Sequence, residues 1–141
     1  MFFTIHPDSP VPIYEQIVAQ VTFCIASGAV EAGALIPSVR DLAAKLLVHP
    51  NTVARAFQEL ERQGIVTAKR GRGMEVTAVA RQVCQEQRHD ILRGRIRELL
   101  REAASSALPT SEIRRLVREE LARSKKRRRS REKREWTASS K

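Results

Sequence analysis

A mainly α-helical protein with one small β-hairpin is the fold class that the sequence predicts, and three observations predict it. Apolar residues recur every three or four positions in several separate segments. That period is lost over residues 65–78, where short β-branched runs flank the glycine-containing "RGRG". Finally, 141 residues with 42% apolar content and few aromatics (4 Phe, 1 Trp, 1 Tyr) can support only a modest core. The length suits one compact domain, or a small one with an appendage.

Each element can be justified in order. In "PVPIYEQIVAQVTFCIASGAV", Ile13, Ile17, Val21 and Ile25 recur every four residues, Pro12 suits an early helical position, and Gly28 stops the run. That is one helix. In "IPSVRDLAAKLL", Ser38 can cap a short helix whose Val39, Leu42, Ala43 and Leu46 form an apolar face. The chain turns near residues 47–50 and restarts in "VHPNTVARAFQELERQG", with Val53, Phe57 and Leu60 on one side and Gly64 as its stop. Two helices joined by so short a turn cross at a steep angle. Ile65, Val66 and Thr67 then read as one strand and residues 74–78 as another, and the glycines of "RGRG" permit the positive φ of a hairpin loop.

Helical patterning returns over residues 81–123. Ile91, Leu92, Ile96, Leu99 and Leu100 mark one helix, "SSALPTS" a break, and Ile113, Leu116, Val117 and Leu121 a second helix. Gly94 weakens the first by up to ~1 kcal/mol relative to alanine. Two helices are too short to build a core of their own, so their apolar stripes call for a second copy of the chain, which predicts a homodimer. The segment "SKKRRRSREKREWTASSK" that follows can bury nothing and is expected to be disordered in isolation. The organisation expected is therefore a helix-and-hairpin module over residues 1–78, a helical dimerisation region over 79–123, and a basic disordered tail over 124–141.

The charge follows that division. The formal net charge is +10, and residues 123–141 hold ten Lys/Arg against two Glu, which leaves +2 for the first 122 residues. Most of the excess is in the tail. Polyanions are the implied partners. Cys24 and Cys84 have no metal or redox spacing and are too few for a disulfide framework, so both read as passive thiols in a reducing compartment. The N-terminus lacks a basic start and a sustained apolar run, and no segment approaches the ~20 apolar residues of a membrane span. A soluble, cytoplasmic protein without membrane contact is expected.

The helix over residues 50–62 carries the functional signal. Its front is built from Pro50, Asn51 and Thr52, followed by Arg55, Gln58 and Arg62 at steps of three and four. Helix, helix, turn, helix and basic hairpin, in that order, is a winged helix-turn-helix. A major groove about 12 Å wide admits one helix, whose amino end reaches deepest. Short polar side chains there can bond base edges without holding the helix away, and arginine offers guanine a two-pronged donor. The tip formed by Arg70, Gly71, Arg72 and Gly73 can lie against a minor groove, where glycine lets the backbone approach and arginine meets a strong negative potential.

The run of residues 12–76, with "PSVRDLA", "PNTVARAFQELERQG" and "RGRG", also resembles the DNA-binding domain of GntR-type bacterial transcription regulators. The short two-helix remainder resembles the YtrA-like branch, whose members lack a large effector-binding domain and dimerise through C-terminal helices. The resemblance implies a homodimeric regulator of double-stranded DNA, a repressor, that needs no cofactor. A small-molecule effector is compatible with it but not indicated. By that likeness Arg40 holds a phosphate, Asn51, Thr52 and Arg55 sit at the groove, and residues 70–73 form the wing tip. Ser38, His49 and Pro50 complete the DNA-contacting set. Two departures stand out: Leu47 occupies a turn position where glycine is common, and His49 replaces a more usual small polar residue and bears on which operator is read.

Plainer readings stand beside these. Arg40 could pair with a carboxylate, Asn51 and Thr52 could only cap the helix, Arg62 reads as part of a solvated face, and residues 70–73 could be a soluble turn. The alternative function is a basic protein binding RNA or ribosomes without specificity, although such a protein has no need of this ordered succession of elements. An enzyme is not expected, because His6, His49 and His89 are scattered, no nucleophile-and-base or paired-carboxylate arrangement exists, and no metal site is spaced for.

Overall fold

The structure is a computed structural model that describes the backbone of residues 3–139 and the side chains of residues 3–131. Its elements are α1 (Ile13–Ala26), β1 (Leu35–Ile36), α2 (Val39–Leu46), α3 (Pro50–Arg62), β2 (Val66–Lys69), β3 (Gly73–Val76), α4 (Ala80–Ser105) and α5 (Thr110–Ser139). They form two compact units, one running to Gly94 and the other starting at Arg95.

The first unit has a single core. Ile17, Val21 and Ile25 of α1, Leu42 and Ala43 of α2, and Val53, Ala56, Phe57 and Leu60 of α3 are buried together. Each fully buried Val, Leu, Ile or Phe contributes about 1.5–3 kcal/mol, so the four-residue spacing read along α1 marks the face that stabilises the unit. The core runs past the predicted boundary at residue 78, because Ala80 and Cys84 are fully buried in it and Val83 packs against it. Burial pushes the Cys84 thiol up to about 11, opposed in part by its hydrogen bond with Thr22. It is an inert, protonated thiol at neutral pH.

The hairpin is antiparallel, with Val66 opposite Val76 and Lys69 opposite Gly73. Its strands are shifted from the predicted limits, because Ile65 remains buried at the end of α3 and the second strand begins at Gly73 rather than Met74. Sequence reading also missed β1. This two-residue strand pairs with β3, placing Leu35 opposite Glu75 and Ile36 opposite Met74, so β3 is central in a three-stranded sheet. Two residues are too few to show a period, and only Ile36 is buried.

Before α1, the chain is fastened by two glutamines. The buried Gln16 amide donates to the carbonyls of His6 (3.0 Å) and Val11 (2.9 Å) and accepts from the His6 N–H (2.9 Å). Gln20 pairs with the backbone of Thr4 in the same two-way fashion. A buried amide satisfied on both sides stabilises the fold, whereas the same group unpaired would cost about 1–3 kcal/mol.

In the second unit, Leu100, Leu108, Ile113 and Val117 line an open groove of about 710 Å³. The segment over 124–141, expected to be disordered, continues α5 as helix through Ser139. Lys, Arg and Glu have high helix propensity, and extending a formed helix avoids the cost of nucleation. Burial is another matter: residues 121–131 are exposed throughout. No helix among the described residues is long and apolar enough to cross a membrane.

Candidate nucleic-acid interface

The turn between α2 and α3 sets the geometry. Leu47 adopts a left-handed conformation at φ 55° and is 93% exposed. Val48 then donates to the carbonyl of Ala43 at 3.1 Å, closing α2 and turning the chain into α3. The left-handed residue is what glycine usually supplies at such a turn, so the turn forms here with leucine in the place of glycine.

His49 caps α3. Its Nδ1 accepts the N–H of Asn51 at 3.1 Å, and its carbonyl accepts the N–H of Thr52 at 3.0 Å. Pro50 fills the first helical position, where its missing N–H costs nothing. With Nδ1 accepting, Nε2 stays outside the cap on an exposed side chain. Because histidine is the cap, neither the Asn51 amide nor the Thr52 hydroxyl is used for capping, and neither makes a hydrogen bond within the described residues. Asn51 is exposed and Thr52 half-buried. Both can serve a ligand.

Ser38 is committed to α2. Its hydroxyl accepts the Asp41 N–H at 3.1 Å and donates to the Asp41 carboxylate at 2.7 Å. That capping engagement uses its one donor and one of its two acceptor sites, and it engages Oδ2 of Asp41. Arg40, exposed beside it, has no carboxylate partner among the described residues.

Arg55 reaches back from α3 toward α1. Its guanidinium carbon lies 3.8 Å from the centroid of the Tyr14 ring, so the fork is stacked across from α3 to the first turn of α1. Stacking engages a guanidinium through its face and leaves its in-plane N–H donors available. Tyr14 in turn donates to Glu15 at 3.0 Å, and that bond, ahead of a smaller desolvation effect, raises the hydroxyl above its usual range. Tyr14 was missed. As a lone aromatic outside the four-residue apolar stripe of α1, it carried no signal of its own.

Arg62 is paired with Glu59, Nε to Oε2 at 2.9 Å and Nη2 to Oε1 at 2.5 Å, which matches the solvated reading. Gln58 is exposed. At the hairpin tip, Arg72 N–H donates to the Lys69 carbonyl at 2.9 Å, and Lys69 pairs with Glu75 at 3.5 Å. Gly71 and Gly73 have φ of 74° and 93°, with open space where a Cβ would stand, so it is the backbone conformation that calls for glycine there. Arg70 and Arg72 are exposed and form no ion pair among the described residues. Among the described residues Arg40, Arg55, Arg70 and Arg72 thus have no carboxylate partner, and the first turn of α3 holds no acidic residue.

The sequence-predicted dimerisation residues lie on α4 and α5. Ile91 and Ile113 are half-buried, while Leu92, Ile96, Leu99, Leu100, Leu116, Val117 and Leu121 remain 44–58% exposed.

A three-helix core with an unoccupied polar helix front, followed by a basic β-hairpin, defines a winged helix-turn-helix protein. Residues 13–76 match the family described as bacterial regulatory proteins, gntR family. The HTH-type transcriptional repressor YtrA of Bacillus subtilis is 33% identical over 115 residues, covering 82% of this chain and 88% of that protein. Among solved structures, a GntR family transcriptional regulator from Listeria monocytogenes is similar with a TM-score of 0.63 and 33% identity, over 79% of this chain and 97% of that one. YtrA from Sulfolobus acidocaldarius, a GntR-family transcription factor, is similar with a TM-score of 0.54 and 30% identity, over 71% and 98%. The chain belongs to the GntR family and is a DNA-binding transcriptional regulator, not an enzyme.

Proposed function

We propose that the protein is a repressor that binds a palindromic operator as a homodimer. The observation that carries this reading is the front of α3, where His49 does the capping and leaves Asn51 and Thr52 to read bases. Arg55 presents its in-plane donors from its seat on Tyr14, Arg40 holds a phosphate, and the 70–73 tip lies along the minor groove. Repression is supported by the name of the Bacillus subtilis relative. Dimerisation is supported by the exposed apolar stripes of α4 and α5, which in a single copy leave seven large side chains about half in water. A two-fold protein matches a two-fold site, with half-sites about 34 Å or a multiple of it apart. The division of labour proposed is the winged module for DNA, with the core extending into α4, and the later helices for the partner copy.

Selection of bound sites from random DNA tests specificity and symmetry together. A recovered palindrome is expected. On that site Asn51→Ala costs about 1–3 kcal/mol and relaxes the base preference, whereas Arg40→Ala weakens all DNA nearly evenly. Selection that returns no consensus, or an equal loss of specific and random binding in both variants, would overturn the reading.

A further inference from the structure

The later part of α5 has no place in that division of labour. Glu120 accepts a hydrogen bond from Arg123 at 2.9 Å, and after it no acidic residue occurs until Glu132. Between them stand Lys125, Lys126, Arg127, Arg128, Arg129 and Arg131. The helical backbone places Lys125 with Arg129 one turn apart, and Lys126 with Arg129 three residues apart. Like charges at these spacings oppose the helix. The helix there buries nothing that would offset the repulsion, because every residue from Leu121 to Arg131 is exposed. Lys126 and Ser130 are shared between two shallow recesses, one completed by Lys125 and Arg129 and the other by Arg123 and Arg127, so the cations fan round the rod instead of forming one edge.

We propose that this stretch is a phosphate-binding arm whose helix is stabilised by duplex DNA, outside the residues that read sequence. The proposal rests on the DNA-binding reading of the winged module. A helix with cations around its circumference and phosphates beside it exchanges mutual repulsion for attraction and releases condensed counterions. Residues 122–139 span about 27 Å as helix, comparable with eight base pairs of B-DNA. An anionic membrane is the poorer partner, because an interfacial helix needs an apolar face and residues 123–135 contain no apolar residue. The arm carries no sequence information, since all its donors are of one kind and phosphates are the same along every duplex.

The test compares the full chain with a chain ending at Ser124 and with the full-length variant Lys125→Gln/Lys126→Gln/Arg127→Gln/Arg129→Gln. Affinity for the selected site and for a random-sequence duplex is titrated against salt. Each phosphate that the arm no longer neutralises flattens the log–log slope by about 0.9, so two fewer flatten it by about 1.8 and four fewer by about 3.6. Both altered chains are expected to lose affinity for the two duplexes by the same factor, with the preference between them kept. Circular dichroism at 222 nm followed with temperature should show the arm's helix melting at a higher temperature when the full chain is on either duplex, a transition that the truncated chain lacks. An unchanged slope overturns the arm while leaving the winged-module reading intact. Selective loss of the specific site, or equal binding of the full chain to phosphatidylserine vesicles abolished by the four substitutions, also overturns it. Absence of any DNA binding by the full chain overturns both.

Discussion

The contact between Arg55 and Tyr14 makes a quantitative prediction. The exposed Arg55 guanidinium, 3.8 Å from the ring centroid of half-buried Tyr14, gains about 0.5–1 kcal/mol. An unrestrained arginine carries up to ~2 kcal/mol of rotamer entropy, part of which the ring removes before DNA arrives. Tyr14→Leu should therefore weaken the selected site by up to about 1 kcal/mol, roughly fivefold, through Arg55 alone. Arg55→Ala should cost about 1–3 kcal/mol if its donors reach a base. In the Arg55→Ala background the ring has nothing left to orient, so Tyr14→Leu should then cost nothing further. Tyr14→Phe keeps the ring, gives up only the exposed hydrogen bond to Glu15, and should bind nearly as the native chain does. The assay is fluorescence anisotropy of the four chains of the cycle on the selected and random duplexes, with urea unfolding to confirm that each is folded. Equal losses from Tyr14→Leu with and without Arg55 would refute the reasoning, and the pair would then be a structural clasp between α1 and α3.

Three further outcomes follow from other parts of the molecule. Leu99→Asp with Leu116→Asp should leave the urea stability of a dilute monomer unchanged, since both side chains are about half exposed, yet raise the dimer dissociation constant at least roughly 100-fold by placing charges in an apolar interface; sedimentation equilibrium that shows no change would exclude α4 and α5 as the contact. Because the Cys84 thiol is raised to about 11, the folded state holds its proton more tightly than the unfolded chain. That contribution is fully present below the ordinary thiol pKa near 9 and is lost as pH climbs through 11, so urea titrations should show stability falling over that window and a shallower fall in Cys84→Ala. Leu47→Gly relieves a left-handed leucine that buries almost nothing, and should raise stability by about 1 kcal/mol or move the unfolding midpoint by about 4–8 °C; a lower midpoint would mean that the leucine contributes packing its exposure does not reveal.

The order of helices was legible because each rested on a repeating signal strong enough to survive local exceptions: the 13, 17, 21, 25 stripe of α1, the 39, 42, 43, 46 face of α2, and the 53, 57, 60 face of α3 are all core or core-packed. What escaped had no period to read. β1 is two residues long, and the partner of Arg55 lies more than forty positions away on another helix. The end of α5 escaped for another reason. Composition tells whether a segment can bury surface, and it rightly put residues 124–131 in water, but exposure alone does not melt a helix whose residues favour it and whose first turns are already formed. The boundary near residue 78 fell where the strand pattern stopped, whereas the core continues through Ala80 and Cys84, two small side chains that a hydrophobic count scarcely weighs.

The two departures at the α2–α3 turn have separate roles, one in the path of the chain and one in the cap. A left-handed leucine costs about 1–2 kcal/mol relative to a right-handed one, and with its side chain 93% exposed almost no burial offsets that cost. The conformation is instead held from behind, where the N–H of Val48 reaches back to Ala43; ahead of it, Pro50 fixes the first residue of α3 and His49 ties the next N–H. Any relaxation of Leu47 toward right-handed φ would carry α2 onward and redirect α3 as a body, with its cap intact, because the bonds that His49 makes to Asn51 and Thr52 lie wholly beyond Leu47. A serine cap would close the helix as well, but its one donor and one of its two acceptor sites would be engaged in doing so, as Ser38 shows at the start of α2. The imidazole caps with one nitrogen and keeps a second, Nε2, outside the cap on an exposed residue at the start of α3. The departure from a small polar residue therefore preserves the cap and keeps one further polar nitrogen for a ligand.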